Sequence, residues 1–83
     1  MDGDSMEPTM SKGDRVLISP GTKVENGQIA ATVNDHRKTL KRVHFEEDHI
    51  CLTSDNPNYP PMFWKKEGDS KIIGRVVRVV KRV

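Results

Sequence analysis

The sequence predicts a mainly β domain: a small, strongly bent antiparallel sheet or partial barrel with one short helical turn near the start. Three observations carry that expectation. Runs of four to ten residues rich in Val, Ile and Thr recur at close spacing, turn residues such as Asn26-Gly27 and Glu47-Asp48 separate them, and no long helical stripe free of β-branched residues occurs.

Taken in order, Ser5 is placed to cap a helical turn through Met6-Glu7-Pro8-Thr9-Met10. Serine is a favoured N-cap, Glu7 suits a first turn, and a proline there loses only an N–H that would go unpaired. Ser11-Lys12-Gly13-Asp14 is a turn, and Arg15 to Ser19 reads as a strand closed by Pro20-Gly21. After the Asn26-Gly27 turn, Gln28 to Asn34 alternates Ile29, Ala31 and Val33 with polar or small residues, the pattern of a half-buried strand. Asn34-Asp35-His36 leads into a longer strand from Arg37 to Glu46. Glu47-Asp48 then turns the chain into a short one from His49 to Thr53.

The stretch from Ser54 to Pro61 holds three prolines and two asparagines, so an ordered extended loop is expected. Met62-Phe63-Trp64 is apolar enough to fold back on the sheet, and Lys65 to Asp69 reads as an exposed turn. The apolar residues between Lys71 and Val83 also fit a helical stripe. They are β-branched at every site and Gly74 interrupts them, so a long strand with a bulge or bend at Gly74 is expected.

Eighty-three residues make one domain. A chain of that size buries only about 60% of its unfolded surface, and 34% apolar and 5% aromatic residues leave little for a large core. A dimer, or a piece of a longer protein, is therefore expected. The net charge of +2 demands no nucleic-acid partner. The basic runs at Arg37 to Arg42 and Arg75 to Arg82 read as solvated faces, although Arg75, Arg78, Lys81 and Arg82 have the chemistry to touch phosphates. The single cysteine, Cys51, rules out an internal disulfide and fits a reducing cytoplasm. No signal peptide and no long apolar run is present, so no membrane role is expected.

The chemistry concentrates on Ser5 and Lys41. A serine hydroxyl needs a base within hydrogen-bond reach. His36, His44 and His49 make a Ser-His-Asp triad formally possible, but nothing in the sequence places them, and a serine–lysine dyad needs fewer parts. A lysine acts as base only when neutral, which burial favours. Lys41 lies mid-strand between Leu40 and Val43, where it can be held out of water, whereas Lys38 falls on the opposite face. Spacing alone leaves Ser5 as a helix cap and Lys41 as an exposed strand residue. His49 and Cys51 share a strand face near His44, but no third and fourth metal ligand can be found.

Six blocks occur in register: Gly3-Asp4-Ser5-Met6-Glu7-Pro8-Thr9, Lys12 to Ile18, Asn26 to Ala30, Thr39-Leu40-Lys41-Arg42-Val43, Ser54 to Pro61, and Ile72 to Val77. Together they closely resemble the C-terminal peptidase domain of LexA and the self-cleaving phage repressors. The resemblance implies a LexA-like β fold, Ser5 as a nucleophile attacking the protein's own backbone, and Lys41 as its general base. It further implies an oxyanion site made by the backbone N–H groups of Ser5 and Asp4, and a homodimer formed partly through the C-terminal strand from Lys71 to Val83. It implies no cofactor and no metal.

By the same resemblance, an N-terminal DNA-binding domain and a linker with an Ala-Gly or Cys-Gly cleavage site are missing, so DNA contact and self-cleavage are not expected of this chain alone. A RecA-filament co-stimulator is implied only by the family. The serine block also resembles type I signal peptidases, but the Gly-Asp-Asn-Arg segment of that family is replaced here by Asn56 to Pro61. A UmuD-like polymerase accessory subunit, sharing fold and dyad, is a further alternative, as is a plain binding module with an inactive dyad.

Overall fold

A computed structural model describes residues 4–34, 36–65 and 71–82. Six strands form one antiparallel sheet: β1 (Arg15–Pro20), β2 (Ile29–Asn34), β3 (Arg37–Phe45), β4 (His49–Thr53), β5 (Met62–Lys65) and β6 (Lys71–Val80). Their order is β1-β6-β2-β3-β4-β5, so the sheet stays open with β1 and β5 at its edges. The expected strands are all present. Met62-Phe63-Trp64 does more than fold back, since it pairs with β4 as an edge strand that leaves Phe63 64% exposed. The rest of the expected Lys65 to Asp69 turn lies outside the described residues.

Local chemistry sets the turns. Gly27 takes a positive φ of 84° behind Asn26, and Gln28 N–H donates to Glu25 O at 3.0 Å. Only glycine adopts such a φ without steric cost. Glu46 N–H donates to His49 O at 3.0 Å and closes the β3–β4 hairpin. Its register pairs Arg42 with Thr53 and Val43 with Leu52.

The expected helical turn after Ser5 does not form a helix. Residues 5–9 are hydrogen-bonded turns with a cis Glu7–Pro8 peptide. Two carbonyls explain it. In a helix Asp4 O would pair with the N–H of residue 8, which is proline and has none; it instead accepts Asn56 Nδ2 at 3.0 Å and Glu7 N–H at 3.1 Å. Ser5 O, which a helix would give to Thr9, accepts Asn56 N–H at 2.9 Å. A single Met10 N–H to Met6 O bond at 3.0 Å remains, and both methionine side chains are fully buried.

The core lies on one face of the sheet. Val24, Ala30, Val43, Leu52 and Trp64 are buried there, with Phe45, Ile50 and Ile72 against them. Two bulges bend β6. Its pairing with β2 slips between Ala31 and Thr32, and its pairing with β1 slips between Leu17 and Ile18. Gly74 sits at the first bulge. A Cβ there would lie 2.2 Å from Ser19 O and 2.8 Å from Pro20 Cα, so β1 approaches β6 closer than any side chain allows. The last strand ends at Val80, short of the expected Val83. Beyond it Lys81 Nζ reaches Asp14 Oδ2 at 3.0 Å and Arg82 N–H reaches Asp14 Oδ1 at 3.0 Å.

Candidate active site

Lys41 is the buried exception among the described basic residues: on the core face of β3 it is only 8% exposed. Period two explains this. Residues 41, 43 and 45 share a face, and Val43 and Phe45 belong to the core side. Across the ladder Lys41 pairs with Ala30, which is fully buried. Arg42, one residue on, points to the other face.

The Lys41 amine donates to Ser54 Oγ at 2.5 Å and stands 5.5 Å from the centroid of the Tyr59 ring. Among the described residues no carboxylate pairs with it. Desolvation therefore holds its pKa below the ordinary 10.5. This is the environment a lysine needs to be neutral at lower pH than a surface lysine.

Ser5 is half-buried at the start of its turn, and the loop 54–61 pins that turn in place. Besides the two Asn56 bonds, the Tyr59 hydroxyl donates to Asp4 Oδ1, which pushes the Tyr59 pKa up. Thr9 Oγ1 donates to Asp55 Oδ2 at 2.5 Å. Arg42 holds the same carboxylate from β3, with Nε on Oδ1 at 2.9 Å and Nη2 on Oδ2 at 2.8 Å, and its Nη1 also donates to Gly27 O at 2.6 Å. The guanidinium keeps Asp55 below the usual carboxylate range. Lys81 Nζ adds a bond to Thr9 O at 2.6 Å from the far end of the chain.

The fold thus gathers Ser5 and Lys41 against one loop. Asn56 and Tyr59 hold the Ser5 turn, and Ser54 and Tyr59 meet the lysine. Among the described residues no hydrogen bond joins Ser5 Oγ to Lys41 Nζ directly, and neither the Asp4 nor the Ser5 backbone N–H donates one. None of the histidines meets Ser5. His44 Nε2 lies 3.2 Å from Thr53 Oγ1, His49 Nδ1 lies 2.8 Å from Asp48 Oδ1, and His36 occupies an exposed turn with a positive φ of 65°. Among the described residues no group of three or more His, Cys, Asp or Glu side chains is arranged to hold a metal.

Reading the sequence for reactive residues missed Ser54, Tyr59 and the Arg42–Asp55 pair. A usable signal existed for Ser54. A hairpin turning at Glu47-Asp48 sets residue 41 opposite residue 54, which places a hydroxyl across from the lysine.

An open antiparallel sheet thus buries Lys41 against the same loop that holds the Ser5 turn, and the family match gives this arrangement its class. Residues 1–77 match the Peptidase S24-like family, and the chain belongs to it. It is 38% identical to LexA repressor 1 of Geobacter sulfurreducens over 81 residues, covering 95% of this chain and 40% of that protein. It is 35% identical to the LexA repressor of Thermosipho africanus over 82 residues, with 98% and 41% covered. For the LexA repressor of Clostridium kluyveri the identity is 37% over 81 residues, with 96% and 39% covered. The chain spans about two fifths of the length of these relatives.

Proposed function

We propose that the chain is the self-cleavage and dimerisation domain of a LexA-like transcriptional repressor, in which Ser5 and Lys41 hydrolyse a peptide bond of the protein's own linker. The observation that carries the reading is the buried Lys41 amine. It has no acidic partner among the described residues and faces the loop that pins the Ser5 turn. The family match and the repressor names of the relatives support the same reading over a signal peptidase.

The chemistry balances as follows. Neutral Lys41 takes the proton of Ser5 Oγ as that oxygen bonds to the scissile carbonyl carbon. The oxyanion is held by the backbone N–H groups of Ser5 and Asp4. The C–N bond breaks as the lysine passes its proton to the leaving amine. Water, deprotonated by the same lysine, then cleaves the Ser5 ester and restores both residues.

The exposed apolar residues Leu17 and Ile18 on β1 and Val77 and Val80 on β6 suit a homodimer interface formed partly by the C-terminal strand. Contact with operator DNA, stimulation by a RecA-type filament and a cytoplasmic location follow from the repressor reading. No helix among the described residues is long and apolar enough to cross a membrane.

The test is a linker with an Ala-Gly bond, joined ahead of Met1 or supplied in trans, incubated at alkaline pH. Wild-type protein cuts it, and folded Ser5→Ala and Lys41→Ala do not. Cleavage by either variant at the wild-type rate removes the dyad.

A further inference from the structure

We propose that Ser54 is the positioning residue of Lys41: its hydroxyl oxygen takes one N–H of the amine and so aims the nitrogen lone pair at the Ser5 turn. The inference rests on the dyad reading above and adds a third side chain to it.

The placement is built into the sheet. The β3–β4 ladder pairs Phe45 with Ile50, His44 with Cys51, Val43 with Leu52 and Arg42 with Thr53. Continued by one step, it sets Ser54 opposite Lys41 on the core face. The contact is short, 2.5 Å from Nζ to Oγ. Ser54 is also flanked by fixed points. Asp55 is gripped by Arg42 and Thr9, and Asn56 is tied to the carbonyls of Asp4 and Ser5. The hydroxyl is therefore located with respect to the lysine and to the serine turn at once.

The chemical argument concerns the kind of acceptor. A neutral amine carries two N–H groups and one lone pair, so fixing one N–H restricts where the lone pair points. A carboxylate in the same place would favour the ammonium form and disable the base. A hydroxyl accepts the N–H without adding charge.

The surrounding elements keep charge away. β2 presents Ala30 opposite Lys41. β4 and β5 offer Leu52 and Trp64 on that face. In the loop, Asp55 is occupied by Arg42, and on the Ser5 turn Asp4 is occupied by the Tyr59 hydroxyl. Glu7 lies on the same turn, acts electrostatically on Tyr59, and makes no ion pair with Lys41.

The experiment follows phosphorylation of Ser5 by diisopropyl fluorophosphate, in which Ser5 Oγ bonds to phosphorus, fluoride leaves and Lys41 takes the proton. Labelling is measured by mass spectrometry across pH for wild type, Ser54→Ala, Ser54→Thr and Ser54→Asp, each shown folded by thermal unfolding. Ser54→Ala is expected to react about 10- to 100-fold more slowly, and Ser54→Thr to recover most of the loss. In Ser54→Asp the midpoint of the pH–rate profile moves up by about 1 to 3 units. Wild-type labelling by Ser54→Ala overturns the proposal, as does failure of Ser54→Thr to recover, or an unshifted profile for Ser54→Asp. Lys41→Ala separates the two levels. If it labels like wild type the dyad itself fails, whereas an inert Lys41→Ala beside a fully active Ser54→Ala removes only the role of Ser54.

Discussion

Arg42 and Asp55 meet through two parallel hydrogen bonds, Nε to Oδ1 at 2.9 Å and Nη2 to Oδ2 at 2.8 Å. The pair joins β3, immediately after Lys41, to the loop that carries Ser54 and Asn56. Thr9 completes it from the end of the Ser5 turn. Bidentate geometry of this kind is the strong form of an ion pair. Arg42 is one-third exposed and Asp55 less, so solvent screens the pair only in part.

Asp55→Asn, which keeps the shape and loses the charge, is expected to cost about 2 kcal/mol in urea unfolding. It should also slow cleavage, because the loop orients both halves of the site. Arg42→Leu in the same protein should add little further loss, since the partner is already gone. Additive losses in that double-mutant cycle would show that the two side chains act independently.

Gly74 gives a purely steric prediction. The site for a Cβ is 2.2 Å from the Ser19 carbonyl oxygen, and that oxygen is backbone with nowhere to retreat. Gly74→Ala is expected to destabilise by about 1 to 3 kcal/mol, read from the urea midpoint. Gly21 makes the comparison. Added atoms there meet nothing within 4 Å, but its φ of 72° is left-handed. Gly21→Asn, a residue that tolerates that region, should cost less than Gly74→Ala.

The parts of this fold that were legible in the sequence are those with local causes. Alternation and β-branching marked every strand except β5, which has no β-branched residue and was read only as folding back on the sheet, and Asn26-Gly27 and Glu47-Asp48 marked their turns. Lys41 was legible as a lysine held out of water because period two puts it with Val43 on the core face. The order of the strands was not legible. The insertion of β6 between β1 and β2 depends on the close approach at Gly74, which a sequence shows only as a glycine. The turn after Ser5 was misread for a related reason. Its carbonyls are spent on Asn56, some fifty residues away, and helix-cap rules consider only near neighbours. Ser54 was read as a loop residue, although the hairpin centre already set it across from Lys41.

Asp14 ties the end of the chain to its beginning. Its carboxylate accepts Ser11 N–H at 2.9 Å, Arg82 N–H at 3.0 Å and Lys81 Nζ at 3.0 Å. The backbone bonds from Arg82 and Ser11, followed by the lysine, lower its pKa from 3.8 to about 2. A carboxylate depressed in the folded state binds fewer protons there than in the unfolded chain. Its contribution is therefore complete above about pH 3.8 and is lost as the pH falls through about 2. Asp14→Asn should flatten the acid limb of the stability profile across that window and leave its slope near neutrality unchanged. Removing Lys81 to Val83 should reproduce part of the effect, and the two changes together should lose less than their sum. An acid limb identical to wild type in Asp14→Asn would refute the tether.

Lys41 carries opposite consequences for stability and activity. Burial lowers its pKa below 10.5, so between the folded value and 10.5 the folded protein binds fewer protons than the unfolded chain. Stability supplied through this group therefore rises with pH across that window. Below it the charged amine must stay buried without a carboxylate partner among the described residues, and the penalty is complete. Cleavage should follow the neutral amine, rising about tenfold per pH unit and levelling off at the folded pKa. Lys41→Met keeps the length of the chain and removes the charge. It is expected to abolish cleavage and, at neutral pH, to raise stability by about 1 kcal/mol, with the gain shrinking as the pH approaches 10.5. Thermal unfolding of both proteins at neutral and alkaline pH tests the sign. A Lys41→Met protein less stable than wild type at neutral pH would mean that the bond to Ser54 outweighs the cost of burying the amine.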